Sequence, residues 1–319
     1  MKKVLFALAA VVALAACSKE QTLVTPQPDA IGFGQPFIEN ATRVNGTEFT
    51  SVDKFNVWGQ VTGNTNNSIF LYNGALVERD GAVDGAAFKC SQPEYWMPLA
   101  SYRFLAISGA NGVAPASGAF PTTINYTADG NTDLLLSEYV VVETDDKAAP
   151  TTGVNDDNCV PFTFKHLLSK VYFKFNNTSA NDQCTYEISN ITVSGTYGSG
   201  VYSIDNKKWT SVSGTAAALD FGTTGNTAIA QGESATSDNA HVLLPGEQTI
   251  TVSFKQKFYF NGTLMSETPD NAPITKELTT TFAPNGAYVI NVNLQTGSAI
   301  TFTLEKLTGW DNETTVTIP

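Results

Sequence analysis

Short segments in which apolar and polar residues alternate recur along the chain, and this pattern restricts its fold more than any other feature. In one of them, Val171, Phe173 and Phe175 are separated by Tyr172 and Lys174. A period of two places alternate side chains on opposite faces of a strand, so such segments predict strands with one buried face. Thr, Asn, Val, Gly, Tyr and Phe are frequent, and long amphipathic helical patterns are missing. We therefore predict an all-β protein, built as a β-sandwich or barrel.

The chain is long enough for two domains, and its composition changes near the middle. Of its 319 residues, those at 143–158 include two aspartate pairs together with Pro150 and Gly153. Polar, turn-rich segments of this kind separate domains. We predict an N-terminal β-sandwich at residues 31–157 and a C-terminal β-sandwich at residues 158–319.

Two segments inside these domains differ from the short alternating type. Residues 134–142 form the most apolar run of the first half. This run predicts the central strand of that half. Residues 211–238 are rich in Gly, Ala and Thr and predict a loop.

The N-terminus has the features of a secretory leader. Met1-Lys2-Lys3 is followed by an apolar run from Val4 to Ala16, which is too short to cross a hydrocarbon core of about 30 Å as a helix. The run ends in Leu14-Ala15-Ala16-Cys17, which resembles the bacterial lipoprotein box. The resemblance implies a signal peptide at residues 1–16 and an acylated Cys17 as the first mature residue. The alternative is an ordinary signal peptide with an incidental cysteine.

The polar residues after the leader indicate a tether. Residues 17–30 contain Pro26 and Pro28 and few apolar side chains, which is typical of a flexible connection to a folded body. With Cys17 acylated, this tether would hold the protein on a membrane without a transmembrane helix.

The charge and the catalytic residue types exclude several functions. The net charge is −12 and the isoelectric point is near 4.6, so nucleic acid and anionic membrane surfaces are not expected partners. No catalytic sequence motif includes His166 or His241, so we expect no enzyme and no cofactor. The segment Asp129–Asp133 lacks the glycine and glutamate of a calcium loop, so we predict a turn and no metal site.

Cysteines and aromatic residues leave alternatives open. Besides Cys17 there are three cysteines, so at least one thiol is unpaired. Two of them, Cys159 and Cys184, flank one predicted strand, and their pairing stays open. Large aromatic side chains serve either as core or as a glycan-binding platform. The candidates are Trp58, Trp96, Trp209, Trp310 and Tyr95.

The order and spacing of several motifs resemble the fimbrillin family of Bacteroidales, which includes the pilins of type V fimbriae and the Mfa-like lipoproteins. The resemblance extends over nearly the whole chain and departs from the family pattern at Met97. The motifs are the lipoprotein box at Cys17, Ile31-Gly32-Phe33 followed by Ala41-Thr42-Arg43, Phe55-Asn56-Val57-Trp58, Tyr95-Trp96-Met97-Pro98, residues 162–171, Leu243-Leu244-Pro245-Gly246, and residues 300–304 with Trp310.

The resemblance implies two tandem transthyretin-like Greek-key β-sandwich domains and export as an outer-membrane lipoprotein. It also implies cleavage by an arginine-specific protease between Arg43 and Val44. Cleavage would remove the strand that carries Ile31 and Phe33 and leave a groove for a strand of another subunit.

The implied partners are other fimbrillin subunits, in a homopolymer or a heteropolymer, together with a host or bacterial surface ligand. In the C-terminal tail, the alternating Val316 and Ile318 are the donor candidates. Stalk, anchor and tip roles stay open. The alternative function is a surface lipoprotein that binds a glycan or host ligand without polymerising.

Overall fold

The structure is a computed structural model that describes residues 29–39, 52–63, 68–80, 88–110, 118–225, 228–307 and 309–310. Within these ranges the protein consists of strands and turns, with no helix, which confirms the all-β class. Across the same ranges, no helix is long and apolar enough to span a membrane. The tandem transthyretin-like arrangement stays a prediction.

Twelve strands precede residue 167, and eleven of them form one sheet. They are β1 (Gly32–Phe33), β2 (Phe37–Ile38), β3 (Lys54–Thr62), β4 (Ser68–Arg79), β5 (Phe88–Cys90), β6 (Ser101–Ser108), β7 (Thr123–Thr127), β8 (Leu135–Ser137), β9 (Val140–Thr144), β10 (Pro150–Thr152), β11 (Cys159–Val160) and β12 (Thr163–His166). The main path through the sheet is β11-β1-β5-β4-β3-β6-β8-β12-β2, and β9 pairs with β6 and β10.

Two parallel segments close this sheet around a core. β1 pairs with β11, and β2 pairs with β12, so residues 31–38 and 159–166 run side by side. Each segment begins at one end of the sheet path and finishes at the other. The enclosed first core is rich in aromatic residues, including Phe55, Phe104 and Phe162.

The prediction that residues 134–142 form a central strand is wrong. The centre of the sheet is β3 paired with β6, and the apolar run is divided into β8 and β9, which pair with β6 in succession. The division coincides with a side-chain hydrogen bond to β6. The Ser137 hydroxyl accepts the backbone N–H of Ala106, which replaces a ladder hydrogen bond and ends β8.

Twelve further strands follow. They are β13 (Ser169–Asn177), β14 (Cys184–Ser194), β15 (Ser199–Ser203), β16 (Lys208–Ser213), β17 (Leu219–Gly222), β18 (Ser234–Thr236), β19 (His241–Leu243), β20 (Gly246–Phe260), β21 (Thr263–Glu267), β22 (Ile274–Phe282), β23 (Gly286–Leu294) and β24 (Thr301–Lys306). One five-stranded sheet contains β18, β19, β13, β23 and β24, and a second contains β17, β14, β20, β21 and β22. Their apolar side chains share a second core, in which the alternating Val171, Phe173 and Phe175 of β13 are buried as predicted.

The prediction of a loop at residues 211–238 is also wrong in part. This range contains β17, β18 and the end of β16. Phe221 on β17 is fully buried, and its ring lies edge-on against Phe173 with centroids 4.8 Å apart. A strand of four residues beside glycine is too short to show a period of two, so the sequence pattern did not reveal it.

The domain boundary at residues 157 and 158 stays a prediction. β11 and β12 pair with strands of the first sheet, and Val160, Phe162 and Phe164 lie in the first core. We propose that the N-terminal domain continues to His166 and that the C-terminal domain begins with β13.

A third core joins the two halves, and it contains buried charge. Trp310 stacks on His166 with ring centroids 3.6 Å apart, and the imidazole Nδ1 of His166 hydrogen-bonds to the Asp133 carboxylate. The buried Lys170 ammonium donates to the backbone carbonyl of Trp310. Burial raises the pKa of Asp133, while the hydrogen bond and charge of His166 and the charge of Lys170 oppose that rise. Asp133 is therefore the acidic partner in a group of buried basic side chains.

Replacement of Asp133 by alanine is expected to destabilise the protein strongly. It leaves the buried His166 imidazole without the carboxylate to which its Nδ1 hydrogen-bonds, and removal of one partner of a buried pair typically costs about 3–5 kcal/mol. Urea unfolding measures the free energy of unfolding of each variant. Asp182→Ala, at an exposed turn position, is the matched control and should change it by less than about 0.5 kcal/mol. Equal losses in both variants would show that the buried pair contributes nothing.

Candidate functional site

The N-terminal segment, residues 29–39, is bound on both sides by backbone hydrogen bonds. On the β11 and β12 side, the N–H groups of Gly34, Phe37 and Glu39 donate to carbonyls of the parallel segment at 2.8–3.0 Å. On the other side, the Ile31 N–H donates to the Glu94 carbonyl at 2.8 Å, and β1 pairs with β5. Pro36 separates β1 from β2, because proline cannot donate to a ladder. The segment is thus an interior strand of the first sheet at β1.

Three side chains of this segment enter the first core. Ile31, Phe33 and Ile38 are 3–4% exposed, whereas Phe37 is 60% exposed. The Phe33 ring is surrounded by four aromatic rings at centroid distances of 5.6–6.3 Å, which belong to Phe55, Tyr72, Phe104 and Phe162. The segment therefore contributes a central part of the first core.

We call the space that this segment fills the strand groove. Its walls are β5 and β11, and its floor is the aromatic cluster around Phe33. Without the segment, both walls would present unpaired backbone groups above an apolar floor, which is a template for another extended chain. The predicted pair Ile31 and Phe33 lies in this groove. Ile38 was missed, because the interruption at Pro36 shifts the alternation.

The matched family covers most of the chain. The model of the fimbrillin-like family matches residues 42–310. The chain belongs to the fimbrillin-like family. Fimbrillin-like proteins are structural and non-enzymatic, which supports the role of a fimbrial subunit for this chain. The family match begins after the N-terminal segment.

Solved structures show the same fold at low sequence identity. A candidate cell adhesion protein of Bacteroides uniformis is 14% identical with a TM-score of 0.51, covering 88% of this chain and 99% of its own. A candidate cell adhesion protein of Bacteroides ovatus is 16% identical with a TM-score of 0.51, covering 88% and 96%. No curated protein matches the chain.

The three arginines of the fimbrillin-like chain differ in their surroundings. Arg43 and Val44 lie outside the described residues, four and five positions after Glu39. Arg79 ends β4 and forms an ion pair with Asp53 at 3.1 Å. Arg103 lies within β6, with its guanidinium 3.6 Å from the Tyr139 ring centroid. A protease needs an extended, accessible backbone, so the two strand arginines are poor substrates.

Other predicted site residues also lie outside the described residues. These are Cys17, which is expected to carry the lipid, and Val316 and Ile318 in the tail. Their roles stay predictions.

Two of the cysteines lie beside the strand groove. Cys90 is on β5, two residues after the partner of Phe33, and Cys159 is the β11 partner of Gly32. Both are half-buried, and burial raises the pKa of each thiol. Cys184 is buried in the C-terminal half on β14. All three thiols are free, so the open pairing of Cys159 with Cys184 is not formed.

The aromatic candidates for a glycan platform are mostly core. Trp58, Trp96 and Trp310 are at most 2% exposed. Trp209 packs against Tyr126 and its indole donates to the Leu167 carbonyl. Tyr95 is 41% exposed. The tryptophans therefore stabilise the cores instead of forming a surface platform.

The polar candidates have structural partners. Both imidazole nitrogens of His241 contact backbone carbonyls, those of Gly130 and Asp220. The Asp129 carboxylate accepts the N–H groups of Asn131 and Thr132, which confirms the predicted turn. Burial raises the pKa of Asp129, but the hydrogen bonds lower it overall. Among the described residues, no cluster of His, Cys, Asp and Glu is arranged to hold a metal ion.

Phe33→Ala is expected to weaken the seating of the N-terminal segment. Truncation of a buried phenylalanine to alanine costs about 3–5 kcal/mol, because apolar contact is lost and a cavity remains. The matched control, Phe37→Ala, lies on the same segment with its ring exposed, so we expect a change below about 0.5 kcal/mol. Urea unfolding of the two full-length variants measures the difference. A Phe33→Ala loss no larger than that of the control would contradict the assigned packing.

Proposed function

We propose that this chain is a subunit of a type V fimbria that is exported as an outer-membrane lipoprotein, acylated at Cys17, and activated by cleavage between Arg43 and Val44. Assembly proceeds by strand exchange, and the fimbria supports adhesion. The observation that carries the proposal is the strand groove, in which Ile31, Phe33 and Ile38 fill the core from a segment that ends shortly before Arg43.

Cleavage after Arg43 separates the segment from the rest of the core but does not by itself empty the groove. Burial of a large apolar side chain contributes about 1.5–3 kcal/mol, and three such side chains hold the segment together with its ladder hydrogen bonds. An empty groove would expose this apolar area. Exchange with an incoming strand is therefore favoured over simple release, because the donor covers the floor as the segment departs.

The lipid and the tether set where exchange takes place. Cys17 and residues 17–30 keep the uncleaved chain at the outer membrane. Once the chain is cut at Arg43, the folded body is no longer covalently attached to the lipid, and only the exchanged strand holds it to its neighbour. Donor strands come from the tails of other fimbrillin subunits, for which Val316 and Ile318 are the candidates on this chain.

Treatment of the full-length protein with an arginine-specific protease is expected to give a product that begins at Val44. N-terminal sequencing identifies it. Arg43→Ala should abolish this product. Subunits joined by strand exchange should form heat-resistant oligomers that run as a ladder on denaturing gels, and Arg43→Ala should abolish this ladder as well. Arg103→Lys, which keeps the charge over Tyr139, is the control and should be cleaved normally. An intact N-terminus, or cleavage elsewhere only, would refute the maturation step.

Removal of the N-terminal segment is expected to increase the reactivity of two thiols. Burial raises the pKa of Cys90 and Cys159, so less of each is thiolate at pH 8 while the segment is in place. When the segment leaves, water returns, both pKa values fall toward the ordinary value, and maleimide labelling should accelerate severalfold.

Labelling is measured peptide by peptide by mass spectrometry in a Cys17→Ser background. Cys184 is buried in the other half and serves as the internal control. Equal acceleration at Cys184 would indicate general unfolding and contradict a local exchange.

A further inference from the structure

The outward side of the N-terminal segment is covered at two glycines, one in β1 and one directly after it. The alternation that points Ile31 and Phe33 into the core points Gly32 and Gly34 away from it, yet Gly34 is buried. The cover is the turn at residues 155–159. A Cβ at position 34 would lie 2.9 Å from the Asn155 amide nitrogen, and a Cβ at position 32 would lie 2.8 Å from the Cys159 sulfur. Both distances are shorter than real Cβ contacts allow.

The two obstacles differ in stiffness. The Cys159 sulfur ends a rotatable side chain with one long contact to the Asp157 carbonyl, so it can move aside. The Asn155 side chain is fixed, because its Oδ1 accepts the N–H groups of Asp157 and Cys159 at 3.1 and 2.9 Å. Its backbone N–H also donates to the Cys159 carbonyl. A side chain at position 34 must therefore break the hydrogen bonds that shape the turn.

Position 34 also requires a backbone donor. The Gly34 N–H donates to the Val160 carbonyl at 3.0 Å. A proline there would lose this bond and bring its ring against Asn155. A strand in the groove must thus combine large apolar residues at positions 31 and 33 with a small residue that keeps its N–H at position 34.

From this geometry we propose that the strand groove selects a donor strand with large apolar residues at positions 31 and 33 and glycine at position 34, and that it rejects the C-terminal tail of its own chain. The inference rests on the proposed strand exchange and specifies its partner as a second kind of subunit. If Ile318 replaces Phe33, position 34 receives Pro319. If Val316 replaces Phe33, position 34 receives Thr317. Both parallel registers conflict with Asn155.

The first experiment tests the covering turn in the intact chain. Gly34→Val is expected to lower the Tm by more than about 5 °C. The control is Gly63→Val, because a Cβ at Gly63 meets nothing within 4 Å. We expect the Tm of this control to fall by no more than about 1 °C. In the double variant, Asn155→Ala should restore much of the Tm that Gly34→Val removes. A double-mutant cycle isolates this interaction between positions 34 and 155. A Gly34→Val loss equal to the control, or strictly additive with Asn155→Ala, would overturn the inference.

The second experiment tests the donor in exchange. Full-length protein cleaved after Arg43 is mixed with fluorescent peptides of residues 29–39, of the same segment with Gly34→Val, and of residues 311–319. The native peptide is expected to incorporate at least tenfold better than the other two. Equal incorporation of the tail peptide would overturn the selection. If no peptide is incorporated, the native one included, strand exchange itself is refuted. The double-mutant cycle of the first experiment would then still test the contact between position 34 and the turn.

Discussion

The parallel pairing of residues 31–38 with residues 159–166 is the contact on which the N-terminal half depends. It joins the two ends of the sheet path and closes the first core. The partners are far apart in the chain, so no hairpin turn fixes them. Among the described residues, ladder hydrogen bonds, buried side chains and the ion pair of Glu39 with Lys165 hold the segment in place.

The same contact explains why the groove is both stable and selective. The floor around Phe33 is aromatic and tolerates different apolar side chains, because close-packed apolar contacts have little directionality. The turn at residues 155–159 is polar and is shaped by hydrogen bonds to the Asn155 side chain, so it tolerates little added volume. In the proposed exchange, affinity for a strand would come from the core side, and discrimination between strands would come from the outer side.

The joint between the halves follows a different principle. Apolar side chains from both halves pack in the third core, and the buried group of Asp133, His166 and Lys170 lies among them beneath Trp310. A buried charge group loses much free energy when its geometry changes, because an unpaired charge has no solvent to stabilise it. The joint therefore favours one relative arrangement of the halves.

The sequence by itself determined the all-β class, the alternating face of β13, the turn at Asp129 and the apolar pair Ile31 and Phe33, because each depends on a local period or on local hydrogen bonds. It did not determine how residues 134–142 divide, or that β17 exists. Nor did it show that Asn155 covers Gly34 and that Cys159 covers Gly32. Only the tertiary structure decided these points, since each arises when segments distant in the chain compete for the same backbone partners and the same space.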